Sequence, residues 1–150
     1  MEGAATQNLL NELLATRKRL QQKQSEILAR ASDLYQAGQV DYVPMNVGDT
    51  IYIDPAKGWK CTLIEHNDSK DIFDVYVKAG HELDDHQHYQ IERIRIFQGV
   101  LHWRTGSTKM LLHPGDIVTM RPNEPHGGIG ETDVHMTVMF DPPLTPPNSE

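Results

Sequence analysis

The sequence contains very little cysteine, with Cys61 the only one among 150 residues. A single cysteine cannot form a disulfide within its own chain, and this is typical of proteins from a reducing compartment. We interpret Cys61 as a small buried hydrophobic residue of a strand. The sequence also lacks the basic start and apolar run of a signal peptide and any run long enough to span a bilayer. Together these features predict a cytoplasmic protein with no membrane partner.

Basic residues are also in short supply, with 14 Lys and Arg against 21 Asp and Glu and a net charge of −7. Nucleic-acid binding requires clustered Lys and Arg to neutralise phosphates. The composition therefore predicts no nucleic-acid partner. The length suits one domain with a core of useful size and a short appendage.

Residues 1–38 read as an N-terminal amphipathic helix, because residues 1–37 contain no proline and Gly38 provides a C-terminal stop. Four apolar residues recur at every seventh position: Leu13, Leu20, Ile27 and Leu34. The column three residues before them is only half apolar: Leu10, Arg17, Gln24 and Ala31. Half a coiled-coil seam leaves two alternatives, a helix that self-associates and a helix that packs on a barrel. We expect a homo-oligomer, a dimer or higher.

From Val47 onward the hydrophobic pattern has a period of two, with short β-rich runs between turn residues. The predicted strands are 50–53, 59–65, 73–78, 87–97, 100–105, 108–112, 116–120 and 134–140. Residues 122–130 are interpreted as a turn region. Many short strands with no intervening helix predict an all-β domain of antiparallel strands over residues 39–141. The proline-rich tail, residues 142–150, is expected to lie disordered on the surface.

The segment His86-Gln87-His88-Tyr89-Gln90-Ile91-Glu92 places ionisable side chains in a predicted strand. His86, His88 and Glu92 have the same parity, so on one strand they would share a face with Ile94, which should be the inner face. Two imidazoles and a carboxylate inside a barrel are costly unless something pairs with them. A divalent cation meets that need, since it takes imidazole nitrogens and a carboxylate oxygen together. His126 follows a later strand and provides a fourth candidate.

These residues also carry a resemblance to the cupin superfamily. The series Gly80, His86-Gln87-His88, Glu92 and Gly99 matches the first cupin signature at every fixed position, and Gly115-Asp116 and His126 match the second. Arg121, Asn123 and Gly130 replace that signature's proline, glycine and asparagine. The resemblance implies a jelly-roll β-barrel after the helix, with His86, His88, Glu92 and His126 binding one divalent transition metal: iron, manganese, nickel or zinc.

Other residues are candidates for a substrate pocket beside the metal: Gln90, Phe73, Val75 and Ile94. Most of them are expected to serve packing alone. Tyr76, Tyr89, Trp103 and Arg121 are interpreted as surface or interface residues rather than substrate contacts. The acidic run at residues 82–85 reads either as a solvated loop or as a source of negative potential at the barrel mouth.

The sequence shows no nucleophile with its base, so any chemistry is expected to be the metal's. Three functions remain open, the first being a metal-dependent enzyme acting on a small molecule, of dioxygenase or isomerase/lyase type. The second is a non-catalytic barrel that binds a small-molecule ligand, with the metal or directly. The third is a structural barrel assembled by its helix. Ionisable groups inside a barrel argue against the purely structural alternative.

Overall fold

The computed structural model describes residues 2–36, 43, 45–53 and 57–144, and this part of the chain forms one helix and ten strands. The helix, α1, spans Glu2–Gln36. The strands are β1 (Thr50–Ile53), β2 (Trp59–His66), β3 (Asp71–Val77), β4 (Glu82–His86), β5 (Ile91–Gln98), β6 (Leu101–Thr105), β7 (Thr108–Leu112), β8 (Ile117–Met120), β9 (His126–Gly130) and β10 (Val134–Asp141).

The strands form two facing antiparallel sheets. The larger sheet has the order β1-β2-β3-β10-β5-β8 and the smaller one β4-β9-β6-β7. Inward side chains alternate with outward ones, as on β3, where Phe73, Val75 and Val77 are buried as expected. Ile94 and Ile96 face the same core from β5. The prediction of an all-β domain preceded by a helix is confirmed.

The predicted strand over residues 87–97 is wrong in its first four residues. Residues 87–90 form a connection between β4 in the smaller sheet and β5 in the larger one. His86, His88 and Glu92 therefore do not lie side by side on one strand, and their common parity is not what brings them together. The acidic run 82–85 is not a loop either, because it belongs to β4.

Strand β9 falls in the region interpreted as a turn. Its sequence, His126-Gly127-Gly128-Ile129-Gly130, has low strand propensity but pairs with β4 on one side and β6 on the other. A Cβ atom on Gly128 would lie 2.4 Å from the carbonyl oxygen of His102 and 2.6 Å from Cε3 of Trp103. A Cβ atom on Gly127 would lie 2.7 Å from the carbonyl oxygen of Leu83. Close packing on both sides, rather than a turn, accounts for these glycines.

The C-terminal part of helix α1 lies against β1. Leu28 is 3% exposed and belongs to the barrel core, whereas its neighbour Ile27 is 48% exposed. Leu13 and Leu20 of the heptad column are also exposed, and the side chain of Leu34 lies outside the described residues. Among the leucines of α1 whose side chains are described, the barrel therefore covers Leu28, and it leaves the described heptad column open.

The start of the proline-rich tail packs on the barrel. Leu144 is buried in the core, and its carbonyl oxygen accepts a hydrogen bond from the backbone N–H of Val43 at 3.3 Å. The expectation of a disordered tail from residue 142 onward thus does not hold for Leu144, while residues 145–150 lie outside the described part. Among the described residues, no helix has an apolar stretch that could cross a lipid bilayer.

Candidate functional site

The four predicted ligands meet where the two sheets approach each other. His86 ends β4 and pairs across the smaller sheet with His126, the first residue of β9. His88 lies in the connection that crosses to the larger sheet, where Glu92 is the second residue of β5. Their candidate ligand atoms all lie within 4.8 Å of one another. Strand pairing and a sheet-to-sheet connection, rather than one strand face, therefore bring these side chains together.

A backbone hydrogen bond of Asn123 connects the segment before His126 with the segment that carries His88. The backbone N–H of Asn123 donates to the carbonyl oxygen of His88 at 2.7 Å, and the φ angle of Asn123 is +60°. Asparagine tolerates this left-handed conformation better than most residues other than glycine. The asparagine at the glycine position of the second cupin signature is thus compatible with the left-handed conformation that this loop requires.

All three histidines use Nδ1 in the same way. Each Nδ1 faces a backbone carbonyl oxygen, and the partner pairs are His86 with Asp84 at 3.0 Å, His88 with Gln90 at 3.1 Å and His126 with Glu124 at 2.7 Å. Because a carbonyl oxygen only accepts, Nδ1 carries the hydrogen. In a neutral ring Nε2 then presents a lone pair. Such backbone bonds orient the histidines of metal sites.

The carboxylate of Glu92 lies among these lone pairs. Its Oε1 atom is 2.9 Å from Nε2 of His88 and 3.2 Å from Nε2 of His126. Nε2 of His126 is buried and has no hydrogen bond of acceptable geometry in the described part of the chain. Neutral imidazole nitrogens and an ionised carboxylate all accept hydrogen bonds, so the cluster requires positive charge at its centre, from a proton or a metal ion.

The surroundings set the charges of these groups. Burial alone would raise the pKa of Glu92, but its contacts with His126 and His88 outweigh burial and lower that pKa to about 2. Burial, and then the neighbouring His126, lowers the pKa of His86. Burial would likewise lower the pKa of His126, yet its contacts with Glu92 and Glu124 raise it. Glu92 is therefore ionised near neutral pH and His86 favours its neutral form.

This donor set fits a metal ion. Three imidazole nitrogens and one carboxylate oxygen suit iron, manganese, nickel and zinc. Donor atoms bonded to one ion at about 2.1 Å lie at most about 4.2 Å apart. The observed spread of up to 4.8 Å is close to that limit. The four side chains can hold one metal ion after a small inward shift.

A mainly apolar cavity adjoins the cluster and shares His86 and Glu92 with it. Phe73 and Val75, two of the predicted pocket residues, line the cavity, whereas Gln90 and Ile94 are buried without lining it. Both amide atoms of Gln90 lack a hydrogen-bond partner in the described part of the chain. Sequence reasoning missed several other lining residues: Trp59, Leu83, Trp103, Met136, Val138 and Phe140. Except for Leu83, which lies on a strand that the sequence did not predict, inward parity on the strands is the signal that could have found them.

The interpretation of Trp103 as a surface or interface residue is wrong. Trp103 is 1% exposed, lines the cavity and lies with its ring centre 5.8 Å from that of His126. Tyr76 and Tyr89 are exposed, as expected. The inward position of Trp103 follows from β6, on which Leu101 and Trp103 are buried and His102 is exposed.

The remaining histidines lie outside the cluster. Four of them face carboxylates elsewhere: His66 with Asp71, His102 with Glu131, His113 with Asp116 and His135 with Asp74. Arg104 bridges two members of the acidic run, with Nη2 at 2.9 Å from Asp85 and 3.5 Å from Glu82. Part of the negative charge beside the site is thereby balanced.

Comparisons with known proteins agree on the fold. The chain matches no protein-family model and no curated protein sequence. Among solved structures it is similar to an RmlC-like cupin from Shewanella frigidimarina, with a TM-score of 0.57, 20% identity and coverage of 66% of this chain and 89% of that one. KdgF from Halomonas sp. gives a TM-score of 0.56 at 24% identity, covering 63% and 87%. Ectoine synthase from P. lautus gives 0.56 at 20% identity, covering 63% and 70%.

At these identities the similarity establishes the fold and not the activity. The two antiparallel sheets and the His/Glu cluster at their junction agree with the resemblance that the sequence motifs carry. We therefore identify the fold of this chain as that of the cupin superfamily.

Proposed function

We propose that His86, His88, Glu92 and His126 bind one divalent transition metal and that the protein is an enzyme acting on a small molecule there. One observation carries the metal assignment: every Nδ1 of the three histidines faces a backbone carbonyl, and the Nε2 atoms converge with the Glu92 carboxylate. Packing alone gives no reason to gather such groups. Iron, manganese, nickel and zinc all suit the donor set.

A bound metal would supply Lewis acidity, polarising a substrate oxygen or lowering the pKa of a water molecule. The chain's own residues would do the rest. The carbonyls of Asp84, Gln90 and Glu124 hold the imidazole rings in orientation. Phe140 packs edge-on against His88 with ring centres 5.3 Å apart, and the apolar cavity wall limits water around the substrate.

The only cysteine of the sequence is not suited to nucleophilic catalysis. Burial, followed by the charge of Glu92, raises the pKa of the Cys61 thiol to about 12, so the thiol stays protonated near neutral pH. With the thiol inert, the bound metal would supply the chemistry, of dioxygenase or of isomerase or lyase type.

The metal assignment can be tested by calorimetric titration of metal-free protein with Zn²⁺. We expect about one equivalent to bind the wild type, and binding to be lost in the His86→Ala/His88→Ala double variant. The control variant is His102→Ala/His113→Ala, because both of these histidines are more than half exposed and outside the cluster. Wild-type protein that binds no Zn²⁺, or a double variant that binds it as tightly, would overturn the assignment.

A second proposal concerns assembly. We infer that helix α1 joins copies of this chain into a homo-oligomer, because Leu13 and Leu20 are 59% and 62% exposed on the heptad column. Sedimentation equilibrium of the full chain tests it. We expect a dimer or higher species that dissociates in the Leu13→Gln/Leu20→Gln variant, while a monomeric wild type at about 100 μM would contradict the proposal.

A further inference from the structure

The outer face of the larger sheet carries aromatic and basic side chains. Three neighbouring strands, β3, β10 and β5, alternate between the core and this face. Their outward residues are Ile72, Asp74 and Tyr76 on β3, His135, Thr137 and Met139 on β10, and Arg93, Arg95 and Phe97 on β5. Tyr76 and Phe97 are 48% and 44% exposed. Aromatic residues, methionine and arginine are enriched at protein–protein interfaces, so this composition is typical of a docking surface.

The aromatic side chains of the outer face are held in place by one another. The Tyr76 ring stacks on the His135 ring at 4.2 Å with an angle of 2° between their planes, and the Phe97 ring lies 5.5 Å from that of His135. The guanidinium group of Arg95 lies 5.4 Å from the centre of the Phe97 ring. A partner that binds here would therefore immobilise few further side chains, which lowers the entropy cost of association.

The charges of the outer face differ on the two sides of β10. Arg93 and Arg95 lie on the β5 side, and the ion pairs of the described residues include neither of them. Asp74 lies on the β3 side, where its Oδ1 atom accepts a hydrogen bond from Nε2 of His135 at 2.6 Å. A carboxylate accepts at both oxygens, so Asp74 can bind a second donor through Oδ2.

Strand pairing places these opposite charges symmetrically about β10. Thr137 of β10 pairs with Asp74 on one side and with Arg95 on the other. If a second copy of the chain lies face to face with the first, a two-fold axis along β10 puts Asp74 of each copy opposite the partner's Arg95. An axis across the strands would instead put Arg95 opposite the partner's Arg95, and like charges repel. Charge complementarity therefore selects the axis along β10.

The same axis matches the aromatic residues. Tyr76 and Phe97 contact His135 from β3 and β5, so the axis puts Tyr76 opposite the partner's Phe97. Packed sheets keep their strand directions within about 30° of each other, and residues next to β10 are displaced little by such a crossing angle. The arrangement buries Tyr76 and Phe97 of both copies and forms the pair between Asp74 and Arg95 twice.

We propose that the outer face of the larger sheet binds the same face of a second copy of this chain, with Asp74 paired to the partner's Arg95. This contact is independent of the His/Glu cluster and of helix α1. With the helix contact also present, the full chain forms an assembly larger than a dimer. The Leu13→Gln/Leu20→Gln variant then dissociates only as far as the dimer that the outer face holds together.

Sedimentation equilibrium in the Leu13→Gln/Leu20→Gln background tests the proposal, because the helix contact is removed there. We expect a dimer at about 100 μM. Adding Arg95→Asp should weaken this dimer about 100-fold or more, because two carboxylates then face each other in each pair. The control is Lys109→Asp, which makes the same charge change at an exposed position of the smaller sheet and should leave the affinity unchanged. A monomeric background protein, or an Arg95→Asp variant that dimerises as tightly as the background, would overturn the proposal.

A mixing experiment tests the pairing of the two residues directly. The Asp74→Arg variant in the same background should also be monomeric, because two guanidinium groups then face each other in each pair. Mixed in equal amounts, the Asp74→Arg and Arg95→Asp variants should form a heterodimer, since both pairs again join opposite charges. Folded variants that do not form it would contradict the pairing. If Asp74→Arg does not fold, the result for Arg95→Asp decides alone.

Discussion

Nε2 of His88 lies 2.9 Å from Oε1 of Glu92, although the two residues are in different structural segments, one in the β4–β5 connection and the other in β5. Because His88 donates through Nδ1 to a carbonyl, this contact joins two groups that both suit a cation. We expect the Glu92→Gln variant, which keeps the shape and removes the charge, to bind Zn²⁺ at least 100-fold more weakly.

The matched control for this variant is Glu131→Gln, since Glu131 is an exposed carboxylate that faces His102 at 3.6 Å outside the cluster. Its Zn²⁺ affinity should equal that of the wild type in the same titration. If Glu92→Gln retained wild-type affinity, Glu92 would not be a ligand.

Helix α1 offers a pair of adjacent residues with opposite roles. We expect Leu28→Ala to lower the free energy of unfolding by about 2 kcal/mol or more, because Leu28 is buried in the barrel core. Ile27→Ala should change it by no more than about 0.5 kcal/mol, because Ile27 is half exposed. Urea denaturation measures both, and equal losses would show that the helix is not packed as described.

The buried thiol of Cys61 should make both its own reactivity and the stability of the fold depend on pH. The thiol should not react with iodoacetamide at pH 8 in the folded protein and should react quickly in guanidinium chloride, as followed by mass spectrometry. The pKa is about 12 in the folded protein and 9.0 for an ordinary thiol. The folded state therefore holds the proton more tightly, and its contribution to stability is full below pH 9 and lost as the pH rises toward 12. Cys61→Val should lack this part of the decline.

We expect replacement of the buried Gln90 by an apolar residue to stabilise the protein. Its buried amide has no partner in the described residues, so replacing it by methionine should raise the free energy of unfolding by about 1 kcal/mol. Gln98→Met is the control, because Gln98 is exposed at the end of β5. A clear loss of stability in Gln90→Met would mean that the amide makes contacts in the folded protein.

The sequence predicted the barrel well where hydrophobic alternation was strong. Phe73 and Val75, and likewise Ile94, alternate with outward residues, and their burial follows the pattern. Strand β4 was missed because it is short and acidic, and β9 because its glycines have low strand propensity. Both are stabilised by pairing with strands distant in sequence, which no local window contains.

The candidate ligands were named from the sequence, but the physical reason offered for their proximity was wrong. Common parity placed His86, His88 and Glu92 on one strand, whereas a change of sheet at residues 87–90 brings them together. The burial of Trp103 was missed although Trp103 has the same parity on β6 as the buried Leu101.

Elemental analysis of untagged protein, purified without chelator, tests the central claim most directly. We expect about one equivalent of iron, manganese, nickel or zinc in the wild type and in His102→Ala/His113→Ala, and none in His86→Ala/His88→Ala. Wild-type protein without metal, even after incubation with each of these ions, or a full equivalent in the His86→Ala/His88→Ala variant, would contradict the account.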